Sequence, residues 1–140
     1  MPPTLFEAIA TEPFWLQAWV AALAGVHLPA LAFVVGRDAG RWRVRPEPVA
    51  VLAGFVVAAV AMDWLYGQVG YVRLLGLAHL VGWTPAFAWV LSRRRLFGSG
   101  SLFSRWLHVY LVVAGTSLVI DFVDVIRHLL GDGQLLNRWG

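Results

Sequence analysis

The chain has 140 residues, 59% of them hydrophobic and 14% charged, with 11 Arg, no Lys and a formal net charge of +3. A soluble domain carries roughly 25% charged residues, so a wholly water-facing exterior is excluded, and two loop-borne Arg clusters do not make a nucleic-acid footprint. Cysteine is absent, which excludes disulfides, thiolate metal sites, Cys nucleophiles and covalent c-type haem.

The N-terminal tail carries Glu7 and Glu12 and no Arg. Pro2, Pro3 and Pro13 bracket a short interfacial helix over Leu5 to Ile9. A cleavable leader is not expected, because the N-terminus lacks a basic region and the first apolar stretch is too long for one. That stretch predicts a first span over about Pro13 to Gly36. A second is expected over about Pro48 to Gly67, a third over about Val72 to Ser92 and a fourth over about Ser104 to Leu130. Each meets the ~20 mostly apolar residues that a ~30 Å hydrocarbon core requires. The fourth reaches ~40 Å at the helical rise of ~1.5 Å per residue, so tilt or protrusion is expected.

The loops carry the orientation. Arg37, Arg41, Arg43 and Arg45 follow the first span, and Arg93, Arg94, Arg95 and Arg105 follow the third. Arg73, Arg127 and Arg138 fall on the other side. Eight Arg against three predict cytosolic Arg-rich loops and two periplasmic or extracellular termini in an inner (plasma) membrane. Aromatic residues fit that frame as interfacial belts. Phe14, Trp15, Trp19, Trp64, Tyr66 and Tyr71 mark one side. Trp42, Trp89, Phe103 and Trp106 mark the other.

Short loops make consecutive spans antiparallel neighbours. The expected fold is all-α: one transmembrane domain over 1–140, an antiparallel four-transmembrane-helix bundle. Small residues four apart are expected at helix contacts, namely Ala21 and Gly25, Gly54 and Ala58, Gly82 and Ala86. Pro29 and Pro85 are expected to kink spans one and three.

The chemistry concentrates in the outer half. Tyr110, Ala114, Ser117, Asp121, Asp124 and His128 lie on one helical stripe of the fourth span. Asp63 in the second span stands ~22 Å above its inner start and Asp121 ~25 Å above its own, by helical rise. His79 in the third span lies ~9 Å below the outer surface on the same reckoning. Asp63, His79, Asp121, Asp124, Arg127 and His128 therefore form the expected ion- or proton-binding site. Intramembrane carboxylates are costly and mark ion pathways, or else they pair with Arg73 or Arg127 in a network that fixes helix register. A metal site through Asp124 and His128 is a further alternative, and the metal is unspecified. His27 and His108 fall at one depth on different spans and are the candidate axial ligands of a b-type haem.

No catalytic signature is present: there is no GxSxG, no phosphate-cradling Gly loop and no dinucleotide fingerprint. The first span lacks the Glu of dual-topology multidrug exporters, and no potassium filter is present. The expected function is a small transporter or channel subunit, not an enzyme, working as a homo-oligomer or within a larger membrane complex. The alternatives are a non-catalytic accessory or assembly subunit of a respiratory or photosynthetic complex, or a bis-His haem electron carrier.

Overall fold

Four helical runs are long and apolar enough to cross a bilayer: Phe14–Phe33, Pro46–Val69, Arg73–Ser92 and Leu102–Leu129. They belong to a computed structural model that describes residues 2–132; Arg138, assigned above to the outer side, lies outside the described residues. At most 39% of the residues in any span's most apolar stretch are buried inside the bundle. The remaining apolar surface faces outward on every span, an arrangement that suits lipid and would be an aggregation liability in water. The fold is thus an all-α bundle of apolar spans.

Helix α1 (Leu5–Ala10) starts where the Thr4 hydroxyl accepts from the Glu7 N–H at 3.2 Å, the side-chain cap that helix starts favour. It does not lie free at the interface. Ala8 is fully buried with Tyr66, Tyr71 and Leu75, so α1 closes over one end of the bundle. The Tyr66 hydroxyl donates to the Pro2 carbonyl at 2.7 Å and ties the tail down.

The first span is broken. Helix α2 (Phe14–His27) ends two residues before Pro29, and only a short α3 (Ala30–Phe33) follows. Pro29 brings no N–H to the ladder and its ring crowds the preceding turn. The next residues leave helix altogether. Strands β1 (Val35–Asp38) and β2 (Arg41–Val44) pair antiparallel, with Val35 opposite Val44 and Asp38 opposite Arg41. Ala39 (φ 50°) and Gly40 (φ 78°) make the turn, the positive-φ pair of a two-residue hairpin. The expected span over 13–36 therefore stops short, and its end together with the expected Arg-rich loop is a β-hairpin.

Helix α4 (Pro46–Val69) has Pro in its first turn and ends at Gly70 with φ 75°. A 3-10 turn, Arg73–Leu75, leads into α5 (Gly76–Ser92). Pro85 sits inside α5 without ending it. Helix α6 (Leu102–Leu129) begins at Ser101, whose hydroxyl accepts from the Ser104 N–H at 3.0 Å.

Close contacts between α4 and α5 come from the small residues. A Cβ on Gly82 would stand 2.6 Å from the Ala58 nitrogen, and one on Gly54 would stand 2.7 Å from the Gly82 carbonyl oxygen. Ala21 and Gly25 form no such contact: Gly25 is exposed, with nothing within 4 Å of a Cβ placed there. Several expected belt residues are core instead. Tyr66, Tyr71 and Trp106 are buried, and the Trp106 indole donates to the Val26 carbonyl at 2.8 Å. Phe14, Trp15, Trp42 and Trp64 are exposed, as a belt requires. The half of the bundle away from α1 is filled by Val26, Ala30, Val51, Val90, Leu107, Tyr110 and Ala114.

Candidate functional site: a polar cavity beneath the N-terminal helix

The stripe read from α6 faces the bundle. Tyr110, Ala114 and Ser117 are buried, and Asp121, Asp124 and His128 continue the row toward the end closed by α1, half-buried. Opposite, α5 begins flush against α6. A Cβ on Gly76 would stand 3.1 Å from the Asp121 backbone and Cβ. This close approach carries His79, three residues on, to the Asp121 side chain.

His79 Nδ1 lies 3.0 Å from Asp121 Oδ2, and the Ser117 hydroxyl donates to the same oxygen at 3.1 Å. One carboxylate oxygen thus gathers a hydroxyl from its own helix and an imidazole from the next. The other side of the His79 ring stacks on Trp83, with centroids 4.0 Å apart and planes 19° apart. Below that, Trp83 meets His27 at 4.4 Å. An aromatic column therefore leads inward from the acid.

Arg73 sits at the rim. It donates to Asp124 at 3.0 Å and to Asp132 at 2.9 Å. Arg127 also donates to Asp132, at 3.0 Å. Asp124 is thereby paired with Arg73 from another element and not with Arg127 or His128 on its own helix. The i, i+3 and i, i+4 spacing made those contacts available, but the Arg73 guanidinium arrives from the 3-10 turn and takes the carboxylate.

These groups surround a cavity of about 180 Å³ whose lining includes Arg73, His79, Ser117, Asp121 and Asp124. It has room for several waters and enough polar partners to hold them. Leu5 and Ile9 of α1 roof it, and Leu23 of α2 is among its deeper walls.

Asp63 is not in this cavity. It is exposed on α4 and makes no hydrogen bond or ion pair with the described residues. It lines a neighbouring recess of about 380 Å³ together with His79 and Trp83. His79 is therefore the wall shared by the Asp63 recess and the Asp121 cavity. Matched depth on α4 and α6 was legible by counting; which way Asp63 turned was not.

Arg127 is exposed and His128 joins neither carboxylate, with its Nδ1 buried and unpartnered among the described residues. The six expected residues thus divide: His79, Asp121 and Asp124 converge, Asp63 borders the same histidine from outside, and Arg127 and His128 stand apart. Among the described residues, no group of three or more His, Asp or Glu is placed to hold a metal ion. His27 and His108 do not face each other across a slot. His27 is fully buried among Phe55, Trp83 and Tyr110, with Nδ1 2.7 Å from the Leu23 carbonyl. His108 is exposed, its ring meets Phe97, and its Nδ1 is 2.7 Å from the Ser104 carbonyl.

Ser117, Arg73 and Trp83 belong to the site although the expected set omitted them. Ser117 stood on the same stripe as Asp121, and Trp83 follows His79 by one helical turn, so both had a sequence signal. Asp132 had none. It reaches Arg73 because the chain turns back after α6, with its N–H donating to the Arg127 carbonyl at 3.0 Å.

Comparison of the chain with family models, with characterised proteins and with solved structures gives no match.

Proposed function

We propose that the chain is a small integral membrane transporter or channel subunit that binds a proton or cation at the His79–Asp121 pair. Its Arg-rich loops are taken to be cytosolic and its termini outside, on the strength of the Arg count. The observation that carries the reading is a carboxylate held between spans, in a polar cavity, with an imidazole at 3.0 Å and a hydroxyl at 3.1 Å. A neutral imidazole beside an ionised carboxylate gives the pair a net charge of −1. One added proton, shared between them, brings it to zero. The pair can therefore load and release a proton without ever placing an uncompensated positive charge in the bundle, which low dielectric penalises. Arg73 balances Asp124 at the rim, so the entrance carries both signs and does not repel a cation outright. A cation other than H⁺ would meet Asp121 and waters of the cavity.

The inner half is closed by the apolar cluster around Tyr110 and Val51. Conduction therefore requires a rearrangement or further subunits, which favours a homo-oligomer. The test is flux into liposomes. The Asp63→Asn, Asp121→Asn double variant is expected to abolish ion-dependent flux; unchanged flux rejects the proposal.

A second reading, an accessory subunit of a larger membrane complex, is favoured by a different observation. An apolar groove of about 710 Å³ runs between α2–α3 and α6, floored by Ala22, Gly25, Pro29 and Ala32. Small residues of this kind let a foreign helix approach closely. Purification from native membranes separates the readings: a homo-oligomer supports the first, and obligate co-purification with other chains supports the second.

A further inference from the structure

We propose that the basin between the β-hairpin and the α5–α6 connection binds the phosphodiester of an anionic phospholipid. The basin measures about 520 Å³ and is lined by Arg43, Arg45, Arg93, Asp38, Glu47 and Ser101. Three guanidiniums face two carboxylates there, leaving one positive charge. A phosphodiester carries one negative charge, so the two match.

The Arg side chains are not equivalent. Arg45 donates to Asp38 at 3.0 Å and its guanidinium lies over Phe103 at 4.4 Å. A Cβ on Gly36 would collide with that guanidinium, so the glycine is what lets Arg45 cross the hairpin. Arg93 donates to Glu47 at 3.0 Å and lies over Trp89 at 5.0 Å. Each still has N–H groups to spare, since a guanidinium carries five. Arg43 makes no ion pair or side-chain hydrogen bond with the described residues. It is the cation free to take a phosphate oxygen. The Ser101 hydroxyl, already an acceptor from Ser104, keeps its proton for a second.

A phosphate on an amphiphile fits better than a free one because the surroundings are apolar. Val44, which lines the basin, is 66% exposed. Leu96, on the basin wall, is 73% exposed. Apolar side chains beside guanidiniums at the end of the spans are arranged for a headgroup with its acyl chains alongside.

The test uses the full-length protein in a non-ionic detergent. Retention of phosphatidylglycerol and of phosphatidylcholine is read by native mass spectrometry, and inorganic phosphate is titrated separately. The wild type is expected to retain phosphatidylglycerol in preference to phosphatidylcholine. Arg43→Gln should lower that retention by about five- to tenfold, from the loss of one interfacial charge and its hydrogen bond. Arg43→Lys should restore part of it, which separates lost charge from lost fold. Arg94→Gln, an exposed cation of the same end outside the basin, should leave it unchanged. Equal retention of the two lipids, or equal losses in Arg43→Gln and Arg94→Gln, would overturn the site. Inorganic phosphate binding as tightly as the lipid would overturn its assignment to a phospholipid.

Discussion

His79 Nδ1 meets Asp121 Oδ2 at 3.0 Å across 42 residues of sequence, joining α5 to α6 in the half of the bundle closed by α1. A register pin and a proton site would both use this contact, and they respond differently to substitution. Asparagine keeps an acceptor for Ser117 and His79 but cannot ionise; alanine keeps neither. Asp121→Ala is expected to destabilise the bundle by about 1 kcal/mol, the range of interhelical hydrogen bonds in bilayers, and Asp121→Asn by less. Flux should be lost in both. Thermal unfolding in detergent and liposome flux, measured on the same preparations, separate the two roles: flux that follows stability alone would mean a pin.

The α4–α5 crossing predicts a sharp contrast between glycines. A methyl on Gly82 would meet the Ala58 backbone at 2.6 Å, and neither helix can retreat without opening the core. Gly82→Ala is expected to cost about 1–3 kcal/mol, as overpacking does. Gly25→Ala meets nothing within 4 Å and should be neutral or gain up to about 1 kcal/mol from helix propensity. Equilibrium unfolding in mixed micelles reads both.

These two regions also show what the residues disclosed. Long apolar runs and four-apart small pairs are local patterns, so the spans and the Gly54–Ala58 and Gly82–Ala86 faces were legible. So was the inward stripe of α6, because its spacing is helical. Val34, Val35 and Gly36 were read as the end of a span because apolar residues in a short run carry no period. The hairpin escaped notice for want of an Asn-Gly or Asp-Gly turn; Ala39-Gly40 is a weak signal. The partner of Asp124 was legible only as a choice between Arg73 and Arg127. Arg127 and His128 stood at contact spacing, and only the fold could bring Arg73 closer.

Ala39 supplies a prediction from that weak turn. Its φ of 50° places a side chain in the left-handed region, which costs about 1 kcal/mol or more for a residue with a Cβ. Ala39→Gly is expected to stabilise the hairpin by about 0.5–1 kcal/mol after glycine's own entropy cost. Gly40→Ala, at φ 78°, should destabilise it by about 1 kcal/mol. Amide hydrogen exchange over residues 35–44 is the readout, because the bundle can stay folded while the hairpin opens.

Arg73 holds two carboxylates, on Asp124 and Asp132. All three side chains are partly exposed, so screening limits each pair to about 0.2–1 kcal/mol. Arg73→Gln is expected to lower stability by about 1 kcal/mol at low salt and by less at high salt. Asp132 pairs with both Arg73 and Arg127 and Asp124 with Arg73 alone, so Asp132→Asn should cost at least as much as Asp124→Asn. Denaturation at two ionic strengths tests the ordering.

Tyr71 lies between the second and third spans, buried against α1 with Tyr66 and Leu75. Burial pushes its phenol up from the ordinary 10.0 to about 12, and Glu12 and then Tyr66 add to the shift. The folded value lies above the unfolded one, so the unfolded chain releases this proton first. The contribution to stability is then full below about 10 and is lost as pH rises through about 12. Since α1 roofs the polar cavity, the same alkaline step should loosen the roof. Tyrosinate absorbance is expected to lose a late-titrating phenol in Tyr71→Phe. The variant should also flatten the fall of stability across this window. A Tyr71→Phe profile that falls as steeply as the wild type would show that another group governs the alkaline limit.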